Sequence, residues 1–316
     1  MERCEFRNLE FLMKGAHTSS CGQISEPHNH PRHCDASKLM RGQLFFRKNI
    51  SSCVFAMLCS LVCGLSVSNL LEPLVFTNAS DTPRKSLYRY IQTLVHVIKW
   101  HLSDLCDADS PARKSLDKVR KMHDVVAEVM TKQKTDKKVY LSQYDMSLVQ
   151  SGFVAAIIIH PQDFGIQPNV NDLDDYVYLW RFIGTHLGIT DQNNICLNGY
   201  LETYTICEQI KNKVLLQALK HPPDDFDFMA KAFTDGLNIL HKVRLYTPEA
   251  VINFMYDVFG QNRERQSIAN ELRIMTFKFL VKLKLYVPGF QILMNKLVML
   301  VYNLVTNNYQ EKQKQS

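Results

Sequence analysis

One histidine stands where a protein places a ligand or a carefully satisfied core group. His123 is the single polar member of an otherwise apolar helical stripe, Leu116, Val119, His123, Val126 and Met130. Burying an imidazole without a partner is costly, so something must meet its ring nitrogens. A backbone carbonyl or a water would make it a structural histidine. An iron would make it a ligand, since neutral imidazole is the commonest protein metal donor and an apolar wall suits a haem face. Upstream, Arg89, Thr93, His96 and Trp100 fall at i, i+4, i+7 and i+11 and share one helix face. Arg89 lies beside Ile91 and Leu94. It reads either as a partly buried cation held by Asp81 or Asp124, or as a partner for an anionic group such as a haem propionate. Arg120 and Lys121 are further candidates for that pairing, because guanidinium matches carboxylate geometry; Arg120 reads equally well as a surface residue. His96 reads as a buried structural histidine, with iron ligation as the alternative. His101 is expected at the surface or in the last helical turn, and His160 is expected to mark a helix end.

These groups need two helices to position them, and the sequence punctuates both. Ser80-Asp81-Thr82-Pro83 opens the first and Ser110-Pro111 the second. An oxygen side chain caps the free N–H groups, and proline at the first helical position sacrifices no hydrogen bond.

The 316 residues carry 46% hydrophobic and 22% charged side chains with a net charge of +6, the composition of a globular chain with a real core. The lysine run at 132–138 has no aromatic interleaving, so no nucleic-acid partner is expected. Nine cysteines with no CxxC pair argue against both a disulfide framework and a zinc ribbon. Most read as small core residues. Residues 1–42 are read as a disordered extension with low apolar content. Its His17, His28, His30 and His33 beside Cys21 and Cys34 match no structural zinc spacing.

Helical periodicity then runs almost throughout. Further helices are expected from Ser142 to His160, Asp172 to Leu187, Tyr200 to Leu219, Asp224 to Val243, Pro248 to Phe259 and Glu264 to Leu285, and no strand is evident. The fold class is all-α, a single multi-helix core domain over 43–262 followed by C-terminal helices over 263–316. Two apolar runs approach membrane character. Cys53–Leu71 is uncharged over about 19 residues but suits a buried core helix as well. Leu285–Val305 is broken by Pro288, Gly289 and Lys296, which suits a helix lying on a membrane or a hairpin packed on the domain.

The pattern Arg89-Tyr90-Ile91-Gln92-Thr93 followed by Arg120-Lys121-Met122-His123 resembles the haem-b oxygenases of the latex-clearing-protein and mpaB type, the endoplasmic-reticulum-bound and rubber oxygenases. That family carries Arg-x-x-Lys-Thr on one helix and an axial histidine about one helical hairpin later. Ser142–Met146, Trp180–Gly184, Leu187–Ile189 and Asn194–Cys196 look similar to its animal branch, and the resemblance covers about residues 45–260. It implies a globin-like core holding haem b, with His123 as the axial iron ligand and Arg89 and Thr93 on the distal side. It also implies an oxidoreductase that uses O2 to cleave a double bond in an isoprenoid or similar unsaturated, apolar substrate. Membrane association, at the endoplasmic reticulum or another membrane, follows from the same likeness, with a cytoplasmic location as the alternative. The sequence departs from the pattern at Gln92, which stands where the family has lysine. An amide can hydrogen-bond but cannot replace the amine as a ligand or proton carrier. Tyr178 stands where a histidine is expected. Gln92 therefore leaves a second reading open: a haem- or lipid-binding protein on the same fold without oxygenase chemistry. A non-enzymatic membrane protein is a third.

Overall fold

The computed structural model describes residues 7–18, 35–241 and 244–314. It is all-helical, and no strand occurs among the described residues. Helices α1 (Leu9–Met13), α2 (Ala36–Lys48), α3 (Ile50–Gly64) and α4 (Ser68–Phe76) lead to the central pair α5 (Pro83–Leu102) and α6 (Pro111–Gln133). Helices α7 (Gln143–Ile159), α8 (Val170–His186), α9 (Tyr200–Ile210), α10 (Leu216–Lys220), α11 (Phe226–His241) and α12 (Pro248–Val258) complete the body. The chain ends in α13 (Ile268–Tyr286) and α14 (Phe290–Lys314).

The expected caps are in place. The Thr82 hydroxyl accepts from Lys85 N ahead of Pro83, and the Ser110 hydroxyl accepts from Arg113 N ahead of Pro111. Ser142 and Asp145 form a reciprocal capping box on α7, and His160 ends that helix. The expected single helix over 200–219 is interrupted by a π-turn at Lys211–Leu215 between α9 and α10.

Of the stretch 1–42 read as an extension, residues 1–6 and 19–34 lie outside the described residues. Cys4, Cys21, Cys34, His28, His30 and His33 fall there. The parts that are described are folded. Leu9 and Leu12 of α1 are buried, and Arg7 forks onto Glu202, with Nη2 2.5 Å from Oε1. Two leucines and one buried ion pair anchor a segment whose average composition is polar, which is why composition alone does not reveal it. At the far end of the stretch, α2 starts at Ala36, where the Asp35 carboxylate accepts from Lys38 N.

Tyr176, Trp180, Phe46, Phe164, Phe254 and Phe277 form the fully buried centre of one core. Helix α2 lies on α8, α3 on α7 and α12, and α5 between α6 and α11. Two of these contacts require glycine. A Cβ at Gly42 would stand 2.5 Å from the Asp175 carbonyl oxygen, and one at Gly236 would stand 2.7 Å from that of Pro83. The second fixes where α5 starts relative to α11. The uncharged run from Cys53 falls on α3, where Cys53, Cys59, Val62 and Cys63 are enclosed by the core. Burial pushes the Cys53 and Cys63 thiols up to about 12, so they are apolar packing groups. No single described helix is long and apolar enough to cross a membrane. Two bent pairs reach that composition together: α2 with α3, at 83°, and α13 with α14 up to Asn307, at 116°.

Candidate functional site

Helices α5 and α6 run antiparallel, so residues near the start of one face residues near the end of the other. Near the connecting turn the two helices are joined by polar contacts. The Ser115 hydroxyl lies 2.6 Å from His96 Nδ1 and accepts from Trp100 Nε1 at 3.0 Å. An indole N–H can only donate, so the hydroxyl proton of Ser115 is left for an unprotonated Nδ1. Burial, helped by Lys118 and Lys99, holds His96 down to about 4, which keeps the ring neutral. His96 is therefore a structural histidine and bridges the pair.

At the open end the arrangement differs. His123 projects from α6 towards Arg89 of α5. Its ring is half-buried, and its Nδ1 is enclosed with no hydrogen-bond partner. Burial first, then the positive charge of Arg89, hold this imidazole down to about 4. It is thus neutral at physiological pH, the form that can donate a lone pair. On the same stripe Leu116 and Met130 are fully buried and Val119 nearly so.

Arg89 is half-buried and donates from Nη1 to Thr77 Oγ1 at 3.1 Å. Thr77 in turn closes α4 by donating to the Pro73 carbonyl at 3.0 Å. Neither carboxylate considered for Arg89 takes it. Asp81 pairs with Lys85 at 2.8 Å, and Asp124 lies one turn from Arg120, whose charge acts on it. No acidic group within ion-pair distance of Arg89 occurs among the described residues. Burial lowers the guanidinium from its ordinary value without neutralising it.

The other expected positions lie around this pair. Thr93 is exposed, and its hydroxyl donates back to the Arg89 carbonyl at 3.2 Å. It shares the helix face in register but points to solvent. Gln92 is half-buried beside it. Arg120 is half-buried next to Asp124. His101 lies in the last turn of α5, one of its two expected places, but it is not at the surface. It is fully buried, stacks on Phe46 with centroids 3.8 Å apart, and has Nδ1 2.7 Å from the Val97 carbonyl. The aromatic cluster of α2 and α8 closes over the end of α5, and a local pattern cannot show that.

The remaining segments quoted for the resemblance meet in a buried polar seam away from the histidine. The Gln150 amide donates to the Trp180 carbonyl and to Asn194 Oδ1, both at 3.0 Å, and its oxygen accepts from Ile195 N. Gln143 holds Gly188 and Thr190 in the same way. This seam locks α7 to the connection between α8 and α9 and makes those segments structural. Tyr178 anchors the start of α2, its hydroxyl accepting from Asp35 N at 2.9 Å. Sequence reasoning missed Thr77 as the partner of Arg89. The only available signal was its place at the end of an apolar run, one turn after Pro73.

Among the described residues no group of three or more His, Cys, Asp or Glu could hold a metal ion. A porphyrin supplies four nitrogens itself and asks the protein for one axial donor and cations for its propionates. His123, with an unpartnered Nδ1, and Arg89, with no carboxylate in ion-pair distance among the described residues, are the groups that would have to meet those two requirements.

The fold is all-α, and His123 of α6 and Arg89 of α5 stand close on two packed helices. In comparisons with known proteins, no family model, curated protein or solved structure matches the chain.

Proposed function

We propose that this chain binds haem b between α5 and α6, through His123, and acts as an oxygenase on an unsaturated apolar molecule such as an isoprenoid or lipid. The observation that carries the reading is the facing pair Arg89 and His123, each half-buried and each short of the partner its chemistry calls for. The order and spacing of the motif segments support the same reading. When bound, haem b supplies an iron at which O2 can be activated. The chain supplies the rest. His123 presents a neutral ring nitrogen, and Arg89 balances a propionate charge from a position fixed by Thr77. Leu116, Val119 and Met130 keep the inner wall of α6 apolar. An apolar substrate would enter between the helices.

Thr93 favours the second reading, haem or lipid binding without oxygenation. Its hydroxyl is committed to the Arg89 carbonyl at the surface, and Gln92 has no amine to offer. The full chain expressed with haem supplementation tests both readings. A Soret band with stoichiometric iron that is lost in His123→Ala supports the assignment. No band, or one unchanged in His123→Ala, overturns it. Oxygen uptake with a polyisoprenoid then separates oxygenase from binder, and Gln92→Lys is expected to raise uptake if the family chemistry is latent.

A further inference from the structure

The C-terminal helices carry apolar residues on two opposite faces. On α13, Ile274, Phe277 and Val281 are buried against the body, while Ile268, Leu272, Met275, Phe279 and Tyr286 run along the other side and are exposed. On α14, Asn295 bonds inward to Ser51 N and the Lys48 carbonyl. Leu293, Leu297, Leu300 and Leu304 follow at i, i+4, i+7 and i+11 on the outer side, all exposed. Of the 24 large hydrophobics exposed among the described residues, 12 lie between Ile268 and Leu304. Such concentration marks an interaction surface, since exposed apolar residues are otherwise scattered singly.

Charge selects the partner. Between residues 268 and 307 the basic residues are Arg273, Lys278, Lys282, Lys284 and Lys296, and the one acidic residue is Glu271. Glu271 is held by Arg263 at 2.7 Å, and Lys278 by Asp257 at 2.8 Å. Lys284 turns inward to Ser52. Lys282 and Lys296 remain exposed with no acidic partner among the described residues. A second copy of this patch would offer them no free carboxylate, whereas anionic headgroups would. Each limb is also too short in apolar length to cross a bilayer, and the 116° bend between them suits helices lying in its surface.

We propose that the outer faces of α13 and α14 dock on an anionic phospholipid bilayer, seating the leucine stripe among the acyl chains and Lys282 and Lys296 among the headgroups. This inference is independent of haem. The full chain is tested by flotation with phosphatidylcholine vesicles containing about 30% phosphatidylserine. Binding is expected there and weaker on phosphatidylcholine alone. Lys282→Glu with Lys296→Glu, and separately Leu297→Ser with Leu300→Ser, should each lower partitioning by about tenfold. A tryptophan reporter at Phe279→Trp should shift to the blue on vesicles, while one at Leu201→Trp on α9 should not. This second measurement stands even where a serine variant folds poorly. No flotation, flotation indifferent to the substitutions, or equal shifts at both reporters overturns the proposal. So does a dimer in sedimentation that the serine pair splits.

Discussion

The two ends of the α5–α6 pair use the same residue type in opposite ways. Near the turn, His96 meets Ser115, and Ser115 also accepts from Trp100, so both ring nitrogens in the contact have a partner. At the open end, Arg89 faces His123 and no hydrogen bond joins them: Arg89 donates to Thr77, and His123 Nδ1 has no partner. An enclosed polar atom without a partner costs about 1–3 kcal/mol, and His101 Nε2 and Ser86 Oγ on α5 are also without one. The comparison teaches that burial and a depressed pKa do not mark a site. Both histidines are neutral for the same reason, desolvation. Against His96, what differs at His123 is the unpartnered Nδ1 beside a guanidinium.

The strongest break in the comparison is expected from haem itself. His123→Ala should abolish the Soret band, while Ser115→Ala at the closed end should retain it, read by absorption after reconstitution. Acid titration follows in size. His101, buried at the same end of α5, is pushed from 6.5 to about 4 by burial. The unfolded chain takes up its proton below about 6.5, and the fold does not until about 4. Its stability contribution is therefore complete above 6.5 and lost as pH falls towards 4, about 3 kcal/mol in all. His101→Phe, which keeps the stack on Phe46, should flatten that acid slope in denaturation curves measured between these two pH values. Ser115→Ala should next cost about 2 kcal/mol at neutral pH, because it strands both His96 Nδ1 and Trp100 Nε1. The smallest effect has the opposite sign. Without haem, His123→Leu should stabilise the chain by about 1 kcal/mol in chemical denaturation, since it removes an enclosed unpartnered nitrogen from an apolar stripe. A cost at both ends would make the two histidines structural equals and remove the basis for a site.

The sequence by itself determined the helices that carry the pair. Thr82-Pro83, Ser110-Pro111 and the Ser142–Asp145 box are local signals, because a cap acts within one turn of the residue that makes it. It also placed Arg89 and His123 on inward faces, since helical period is a local property. Tertiary structure decided what each inward residue meets. Asp81 and Asp124 looked available to Arg89, yet Lys85 and Arg120 are nearer, and Thr77 arrives from α4. His101 is in the last turn of α5, as its position suggested, but α2 and α8 bring Phe46 and Trp180 over it and bury it. Thr93 keeps its register but is exposed, its hydroxyl turned back to the Arg89 carbonyl. The polar average of residues 7–18 hid two leucines and an arginine that α9 completes. Caps and periodicity depend on neighbours a few residues away. Burial and the identity of a partner depend on segments brought together from well beyond one turn, 195 residues apart for Arg7 with Glu202 and 19 for His96 with Ser115.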